Sequence, residues 1–324
     1  MLELLLNLQL FSADVNPINV TTQGGMSPTM KTFYDTTLLE NAREQMLFTQ
    51  FGKKQPMHGN KVEWRKFNTF AKALTPLTEG VIPTGQTFGM TNIEATTEQY
   101  GDFVAVSDRL ELEAYDDVIF GATEEMGAAE GETYDTLTRN VLVAGNSVAY
   151  GGGKASRSAL TKEDILTPAL VNKAATFLKK NKAPRIDGCY VAIIHPSVAE
   201  DLRESAEWKE FHKYNDVQPI FKGEIGMLHG VRFVECNEQK VWKEGAGNTA
   251  VYATLFLGKD AFGILDPEGE GMEMIIKGRE QAGGPLNQFS TIGYKFCHGA
   301  KILYQERMLR VETGSSYGDL DEAN

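Results

Sequence analysis

Residues 60–67 read Asn-Lys-Val-Glu-Trp-Arg-Lys-Phe, and residues 91–98 read Thr-Asn-Ile-Glu-Ala-Thr-Thr-Glu. Polar and apolar side chains alternate in both stretches, and this period of two predicts a β-strand in each. Residues 75–85 contain two prolines and two glycines, which interrupt regular structure without making a tight hairpin turn. The sequence therefore predicts a long two-stranded arm with a loose tip. Because an isolated strand pair is only marginally stable in water, we expect the arm to rest on another surface, such as a second copy of the chain.

Composition limits the classes of protein to which the chain can belong. It has 324 residues, 42% of them hydrophobic, which predicts about two domains with a sizeable core. The formal net charge of −12 argues against sequence-independent binding of nucleic acid, because neutralising phosphates needs clustered Lys and Arg. The apolar run at residues 1–11 lacks the basic start of a signal peptide, and no stretch is long enough to span a membrane. We therefore expect a soluble protein.

The cysteines and histidines indicate no metal or redox chemistry. Cys189, Cys236 and Cys297 are widely spaced and form no CxxC pair, so we expect reduced thiols rather than a zinc site or disulfides. The five histidines are scattered without a metal-ligand spacing. The glycines at 151–153 fail the phosphate-loop pattern and indicate a flexible linker. No catalytic, cofactor-binding or metal-binding residue is predicted.

The longest helical pattern runs from Asp116 to about Ala144. Apolar or small residues recur there at spacings of three and four, which predicts one long helix with a single buried row. The row consists of Ile119, Ala122, Met126, Ala129, Thr133, Leu137, Val141 and Ala144. Further on, Thr167-Pro168 indicates a capped helix start, and the apolar run 189–194 indicates a buried central strand. From residue 160 onward, helices and strands mix without a regular βαβ alternation, so the predicted class is α+β.

Two stretches carry opposite charge. Lys53 to Lys72 contains six basic residues and one acidic residue, whereas Asp108 to Asp135 contains ten acidic residues and one basic residue. A basic arm and an acidic helix in one chain would suit complementary surfaces between identical subunits. The candidate contact residues are Lys61, Trp64, Arg65, Lys66, Glu111, Glu113, Asp116, Asp117 and Glu124. Charge blocks that simply face solvent remain the alternative.

Four stretches resemble major capsid proteins of tailed bacteriophages. They are Gln99 to Leu110 (QYGDFVAVSDRL), Gly223 to Val231 (GEIGMLHGV), Gly258 to Gly263 (GKDAFG) and Pro285 to Lys295 (PLNQFSTIGYK), and they occur in the family's order over nearly the whole chain. The opening Leu8-Gln-Leu-Phe is also similar to the start of many such proteins.

This resemblance implies the capsid fold shared by tailed phages and herpesviruses. It implies an N-terminal arm and helix at 1–52, an extended β-hairpin loop at 53–100, a peripheral domain with the spine helix at 101–160 and 290–324, and an axial domain at 161–289. The implied function is that of a shell protein that self-assembles through hexamers and pentamers into an icosahedral head. Some relatives form a Lys–Asn crosslink, and Lys61 and Lys66 lie in the corresponding loop, but no partner asparagine or acidic catalyst is identified, so no crosslink is predicted.

The resemblance also implies partners and a location. These are a portal, a separate scaffolding protein and packaged double-stranded DNA bound without sequence-specific contact, with no membrane and with assembly in the host cytoplasm into the virion. Two alternatives remain at this point. One is an encapsulin-like nanocompartment with the same fold, and the other is an α+β enzyme with a site near His195 and Asp201.

Overall fold

The computed structural model describes residues 19–22, 46–57, 59, 61–110, 118–214, 224–267, 271–282, 286–318 and 320–324. These residues form helices and mixed sheets without a regular βαβ alternation, which confirms the predicted α+β class. They fall into two compact units. The first takes its described residues from Met1–Met46, Gln99–Asp135 and Gly269–Cys297, and the second from Leu47–Glu98, Thr136–Glu268 and His298–Asn324. No helix in the described ranges is long and apolar enough to cross a membrane.

The regular elements are numbered in chain order. The described strands are β1 (Asn19–Thr22), β2 (Lys53–Met57), β3 (Lys61–Phe67), β4 (Met90–Thr96), β5 (Glu98–Arg109), β6 (Val148–Tyr150), β7 (Tyr190–Ile194), β8 (Glu224–Leu228), β9 (Val231–Glu235), β10 (Val241–Trp242), β11 (Val251–Leu257), β12 (Phe262–Pro267), β13 (Glu273–Lys277), β14 (Phe289–His298), β15 (Ala300–Ile302) and β16 (Met308–Thr313). The described α-helices are α1 (Val118–Val143), α2 (Pro168–Lys180), α3 (Pro196–Glu204) and α4 (Ala206–Tyr214).

Two glycines set the spacing of neighbouring strands in the first unit, whose sheet has the order β1–β5–β14–β13. A Cβ at Gly101 would lie 2.6 Å from the carbonyl oxygen of Tyr294, and a Cβ at Gly293 would lie 2.7 Å from that of Asp102. No side chain fits at such distances, so the close approach of β5 and β14 requires glycine at both positions. Both glycines belong to stretches on which the sequence resemblance rests.

An aromatic cluster covers part of this sheet. The ring of Phe296 lies 5.8 Å from that of Tyr100, 5.4 Å from that of Tyr134 and 6.0 Å from that of Tyr294. Tyr134 belongs to α1, so the cluster packs the first part of this helix against the sheet. Aromatic pairs at these distances stabilise a core beyond the area that they bury.

Helix α1 confirms the predicted long helix, but the predicted buried row is only partly right. Ile119 and Met126 are buried as expected, whereas Ala144 is exposed and Thr123 and Thr138, which lie outside the row, are fully buried. The buried row is therefore displaced around the helix from the predicted one. The physical reason is that a threonine hydroxyl can be satisfied within the helix, as when Thr123 Oγ1 donates to the carbonyl of Ile119 at 2.7 Å.

The second unit is built on a seven-stranded sheet with the order β6–β16–β11–β7–β9–β8, in which β10 pairs with β11. All residues of β7 and β11 are buried, which confirms the predicted central strand. Helix α2 begins as predicted, because Thr167 Oγ1 accepts a hydrogen bond from the backbone N–H of Leu170 at 3.3 Å and Pro168 occupies the first turn. Val171, Ala174, Ala175 and Leu178 of α2 belong to the core.

The predictions for the cysteines and for the three consecutive glycines differ in outcome. The three cysteines are free as expected, although only Cys236 is buried and the other two are half-buried. The predicted flexible linker at the three glycines is wrong, because they form a fixed turn with Gly152 at φ 58°. Gly151 is buried, and a Cβ there would lie 2.5 Å from the carbonyl oxygen of Asp164, so the backbone of the turn packs tightly on residue 164.

Candidate functional site

The arm predicted from the sequence is present. Strands β3 and β4 pair antiparallel over seven residues each, from Lys61 opposite Thr96 to Phe67 opposite Met90. Trp64 stands opposite Ile93 in the middle of this register. The pair forms a separate two-stranded sheet, and beyond it the chain continues through residues 68–89 without regular structure.

The base of the arm rests on its own chain, on a three-stranded sheet of order β15–β12–β2. Met57, Ala95 and Leu265 form a small buried cluster, against which Val62 and Trp64 pack. The indole of Trp64 lies over Gly263, where a Cβ would come within 2.8 Å of the ring. The expectation that the arm needs a supporting surface is therefore met at its base by β12 and β2.

The tip of the arm is strongly apolar and exposed. Leu74 is 84% exposed, Leu77 is 77% exposed and Ile82 is 93% exposed. Phe67, Phe70, Val81, Phe88 and Met90 add further exposed apolar surface on the same segment. So many exposed apolar side chains on one segment are unusual for a monomeric protein and indicate a surface that another molecule covers.

Part of the tip is ordered by specific contacts. The side-chain amide of Gln86 makes two hydrogen bonds of 2.8 Å to the backbone of Ala71, and the N–H of Asn68 donates to Gly89 at 2.9 Å. The ring of Phe88 stacks on Phe67, with ring centroids 4.9 Å apart. These contacts connect the two sides of the irregular segment next to the ends of β3 and β4. Its outer portion, residues 72–85, presents the most exposed aliphatic side chains.

Two of the three basic candidates of the arm already have weak partners within the chain. Lys61 forms an ion pair with Glu94 across the strand pair. Lys66 lies 3.5 Å from Glu306 and 4.5 Å from the centre of the Tyr304 ring. Arg65 is exposed and forms no ion pair with another described residue. Because exposed pairs of this kind contribute little, all three cations remain available to an acidic partner.

The acidic candidates and their acidic neighbours on α1 divide into three groups. Glu111, Glu113, Asp116 and Asp117 lie outside the described residues. Glu124 is exposed on α1, as are Glu125 and Glu132. Glu130 and Asp135 are buried, so the solvent-facing charge of α1 is smaller than the sequence count indicated. Burial raises the pKa of Glu130 to about 7, and neither of its carboxylate oxygens has a hydrogen-bond partner within the described structure.

The residues of the alternative enzyme site serve structural roles. His195 caps α3, because its Nδ1 accepts a hydrogen bond from the N–H of Ser197 at 3.2 Å, and its ring lies 4.8 Å from that of Tyr252. Burial lowers the pKa of His195, and the nearby carboxylate of Asp321 only partly opposes this shift. Asp201 accepts a hydrogen bond from the N–H of Ser316 at 3.1 Å. Within the described part of the chain, no three His, Cys, Asp or Glu side chains lie close enough to hold a metal ion.

Comparison with known proteins identifies what the chain is similar to. The model of a family described as phage capsid protein matches residues 103–278. No curated protein matches the chain.

Solved structures with the same fold include three shell proteins. The capsid of Ralstonia phage GP4 is 16% identical, with a TM-score of 0.64 over 84% of this chain and 88% of that one. The capsid of cyanophage Pam1 is 13% identical, with a TM-score of 0.67 over 96% and 98% of the two chains. A virus-like particle from Pyrococcus furiosus is 9% identical, with a TM-score of 0.52 over 87% and 99%.

Proposed function

The chain belongs to the phage capsid protein family, and we propose that it is the major head protein that self-assembles into the icosahedral shell of a tailed double-stranded DNA phage. Members of this family are structural proteins rather than enzymes. Assembly through hexamers and pentamers would place the chain in the virion. The four-part organisation into N-terminal arm, extended loop, peripheral domain and axial domain, with the boundaries given above, is part of the same proposal.

The observation that carries this proposal is the exposed apolar tip of the arm. Fully burying one aliphatic side chain contributes about 1.5–3 kcal/mol, so covering Leu74, Leu77 and Ile82 would supply several kcal/mol to an interface. Strand β3 has seven residues and extends about 20 Å at ~3.3 Å per residue. The arm can therefore carry its tip to a neighbouring copy while Trp64 keeps its base fixed to its own chain.

Charge would add specificity to this contact. The exposed Arg65 and the weakly paired Lys61 and Lys66 would face the acidic stretch that contains Glu111, Glu113, Asp116, Asp117 and Glu124 on the neighbouring copy. Complementary charge of this kind raises the association rate and fixes the register of the contact more than it raises affinity. The apolar tip would supply most of the binding free energy.

The partners follow from the same assignment. A portal and a separate scaffolding protein would act during assembly in the host cytoplasm, and double-stranded DNA would be enclosed without sequence-specific contact. The net charge of −12 supports the last point, because it disfavours extensive contact between the shell protein and the packaged polymer. A crosslink is not proposed.

The test is to express the full chain alone and to examine it by size-exclusion chromatography and negative-stain electron microscopy. Closed shells, tubes, or rings of five or six subunits are the expected products. A chain that remains monomeric or dimeric at high concentration, and also when the phage scaffolding protein is co-expressed, would overturn the proposal.

A second candidate function is that of a nanocompartment shell protein. The observation that favours it is the similarity of fold to the virus-like particle from Pyrococcus furiosus. The contents of purified particles distinguish the two, since a phage head protein co-assembled with portal and terminase packages DNA, whereas a nanocompartment encloses a protein cargo.

A further inference from the structure

A polar pocket of about 600 Å³ lies in the second unit, away from the arm. It is bordered by the end of α1, by the edge strand β6 and by the short strand β10. Its polar and aromatic lining consists of Asn140, Asn146, Arg157, Lys240, Trp242 and Arg310. Three cations thus face one cavity in a protein that is acidic as a whole.

The two arginines are fixed by the carboxylates behind them. Arg157 makes hydrogen bonds of 2.7 and 2.9 Å to Glu312 and another of 2.7 Å to Glu244. Arg310 donates to Glu312 at 2.8 Å and to the carbonyl of Gly145, at the end of α1, at 3.3 Å. Glu312 is fully buried, so both guanidinium groups are held by a partner that cannot move into solvent.

The arginines still have unused donors. A guanidinium carries about five N–H groups, of which Arg157 uses three and Arg310 uses two in the contacts just described. The side chain of Trp242 adds rigidity, because the guanidinium of Arg157 lies 3.6 Å above its ring. This stacking also covers one face of the indole, which leaves the pocket better suited to an anion than to an aromatic ring.

Lys240 supplies a positive charge that nothing in the described structure neutralises directly. The pocket holds the charges of Arg157, Arg310 and Lys240 against those of Glu244 and Glu312, which leaves one cation in excess. Lys240 forms no ion pair with a described residue. Burial lowers its pKa, the nearby cations of Arg139 and Arg157 lower it further, and Glu244 opposes them only in part. A bound anion would relieve this repulsion.

We propose that this pocket binds a phosphate group, with the ammonium of Lys240 as the main ligand. The remaining N–H groups of Arg157 and Arg310 and the side-chain amides of Asn140 and Asn146 provide further donors around it. A phosphate has three or four acceptor oxygens and suits several donors that converge from different directions, whereas a carboxylate has only two oxygens. The group can come from inorganic phosphate or from a backbone phosphate of DNA.

The first test measures binding of inorganic phosphate to the full chain by isothermal titration calorimetry at constant ionic strength. We expect saturable binding at one site per chain, weakened at least tenfold by Lys240→Met. Lys209→Met is the matched control, because Lys209 lies on α4 and pairs with Glu204 at 2.8 Å, and it should bind as the wild type does. An absence of saturable binding, or equal binding by the wild type and the Lys240→Met variant, would overturn the proposal. An equal loss of binding in Lys240→Met and Lys209→Met would also overturn it, because the loss would then depend on net charge and not on this pocket.

Thermal unfolding provides a second readout that separates binding from folding. In phosphate-free buffer, Lys240→Met should unfold at the same temperature as the wild type or higher, because it removes an uncompensated charge. Phosphate should raise the unfolding temperature of the wild type but not that of the variant, since a ligand of the folded state stabilises it. An equal rise in both proteins would contradict the assignment of Lys240.

A competition experiment between inorganic phosphate and a short DNA duplex identifies the source of the phosphate group. A short DNA duplex that displaces phosphate from the wild type, and does not bind the Lys240→Met variant, would identify the DNA backbone as the ligand. Phosphate binding that the duplex leaves unchanged would identify the free anion. Neither result depends on shell formation. The chain can therefore fail to form shells and still bind phosphate in this pocket, or form shells without binding phosphate.

Discussion

The indole of Trp64 lies directly over Gly263, where a Cβ would come within 2.8 Å of the ring. This contact fixes β3 of the arm to β12 of the three-stranded sheet, and it requires that residue 263 have no side chain. The arm therefore begins at a defined point of the subunit, and the position of its tip depends on that contact.

Gly263→Ala should loosen the base of the arm. The added methyl group would displace the indole at a cost of about 1–3 kcal/mol, as is usual when a packed site is overfilled. We expect a folded subunit with lower stability to urea and a red-shifted tryptophan emission. Gly121→Ala is the control, because a Cβ there meets nothing within 4 Å on α1, and it should stabilise the helix by about 1 kcal/mol. Equal stability of the two variants would show that the contact does not hold the arm.

Replacing the apolar tip should abolish shell formation without unfolding the subunit. Leu77, Val81 and Ile82 are exposed, so their joint substitution by Ser should change the free energy of unfolding little. The same substitutions remove the surface that a neighbouring copy would cover. Electron microscopy and size-exclusion chromatography would then show monomers or small oligomers in place of shells.

The control for the tip changes polar residues of the same segment. Thr75, Thr78 and Thr84 are also exposed, and their substitution by Ser keeps the length and polarity of the segment. This variant should assemble as the wild type does. If the apolar variant forms normal shells, the tip has no part in assembly.

Reversing the charge of the arm should weaken assembly in a salt-dependent way. Lys61, Arg65 and Lys66 changed together to Glu should slow shell formation several-fold at low salt and less at high salt, because ions screen exposed charges within about 10 Å at 0.1 M. Light scattering during assembly measures this rate. Lys173, Lys179 and Lys180 are three exposed lysines of α2, and their change to Glu is the matched control for net charge. The same loss of rate at all salt concentrations would rule out the electrostatic contribution.

Glu130 should make the stability of the chain depend on pH. Its carboxyl group is fully buried, and its pKa rises from 4.5 to about 7 on folding. Between these values the folded chain keeps the proton and the unfolded chain releases it, so stability falls as the pH rises through this range and is constant above it. Glu130→Gln removes this effect.

The variant and the wild type should therefore be equally stable near pH 4.5. Above pH 7, Glu130→Gln should be more stable by on the order of 3 kcal/mol, since each pKa unit corresponds to about 1.4 kcal/mol. Urea denaturation at several pH values measures the difference. Glu132→Gln changes an exposed neighbour on the same helix and should show no such dependence. A constant difference between Glu130→Gln and the wild type at all pH values would mean that folding does not raise the pKa of this carboxyl group.

The C-terminal residues should contribute to the stability of the second unit. The hydroxyl of Tyr252 donates to Asp321 at 2.5 Å, and Lys243 pairs with Glu322 at 2.7 Å. Asn324 Oδ1 accepts a hydrogen bond from the backbone N–H of Val241 at 3.0 Å. Tyr252→Phe should cost about 1.5–3 kcal/mol, the range for a hydrogen bond to a charged group. Lys243→Met should cost less than 1 kcal/mol because its pair is exposed, and equal losses would contradict this ranking.

Sequence reasoning found the features that depend on local pattern. The alternation in residues 61–67 and 90–96, the helical period of α1, the capped start of α2 at Thr167 and the apolar run of β7 each follow from side-chain order along the chain. The order of the capsid-like stretches led to the family for the same reason. A period of two or 3.6 is a property of consecutive residues, so it needs no knowledge of distant parts of the chain.

Only the tertiary structure decided which of these residues meet. Gly101 and Gly293 are 192 positions apart in the sequence and both permit the approach of β5 to β14. Glu130 and Glu132 are residues of the same type, but one is buried and the other is exposed because they lie on different sides of α1. Lys240, Arg157 and Arg310 border one pocket although they come from separate segments. Burial, unpaired charge and shared cavities depend on contacts between residues that are far apart in the sequence. A single sequence gives the residues but not these contacts.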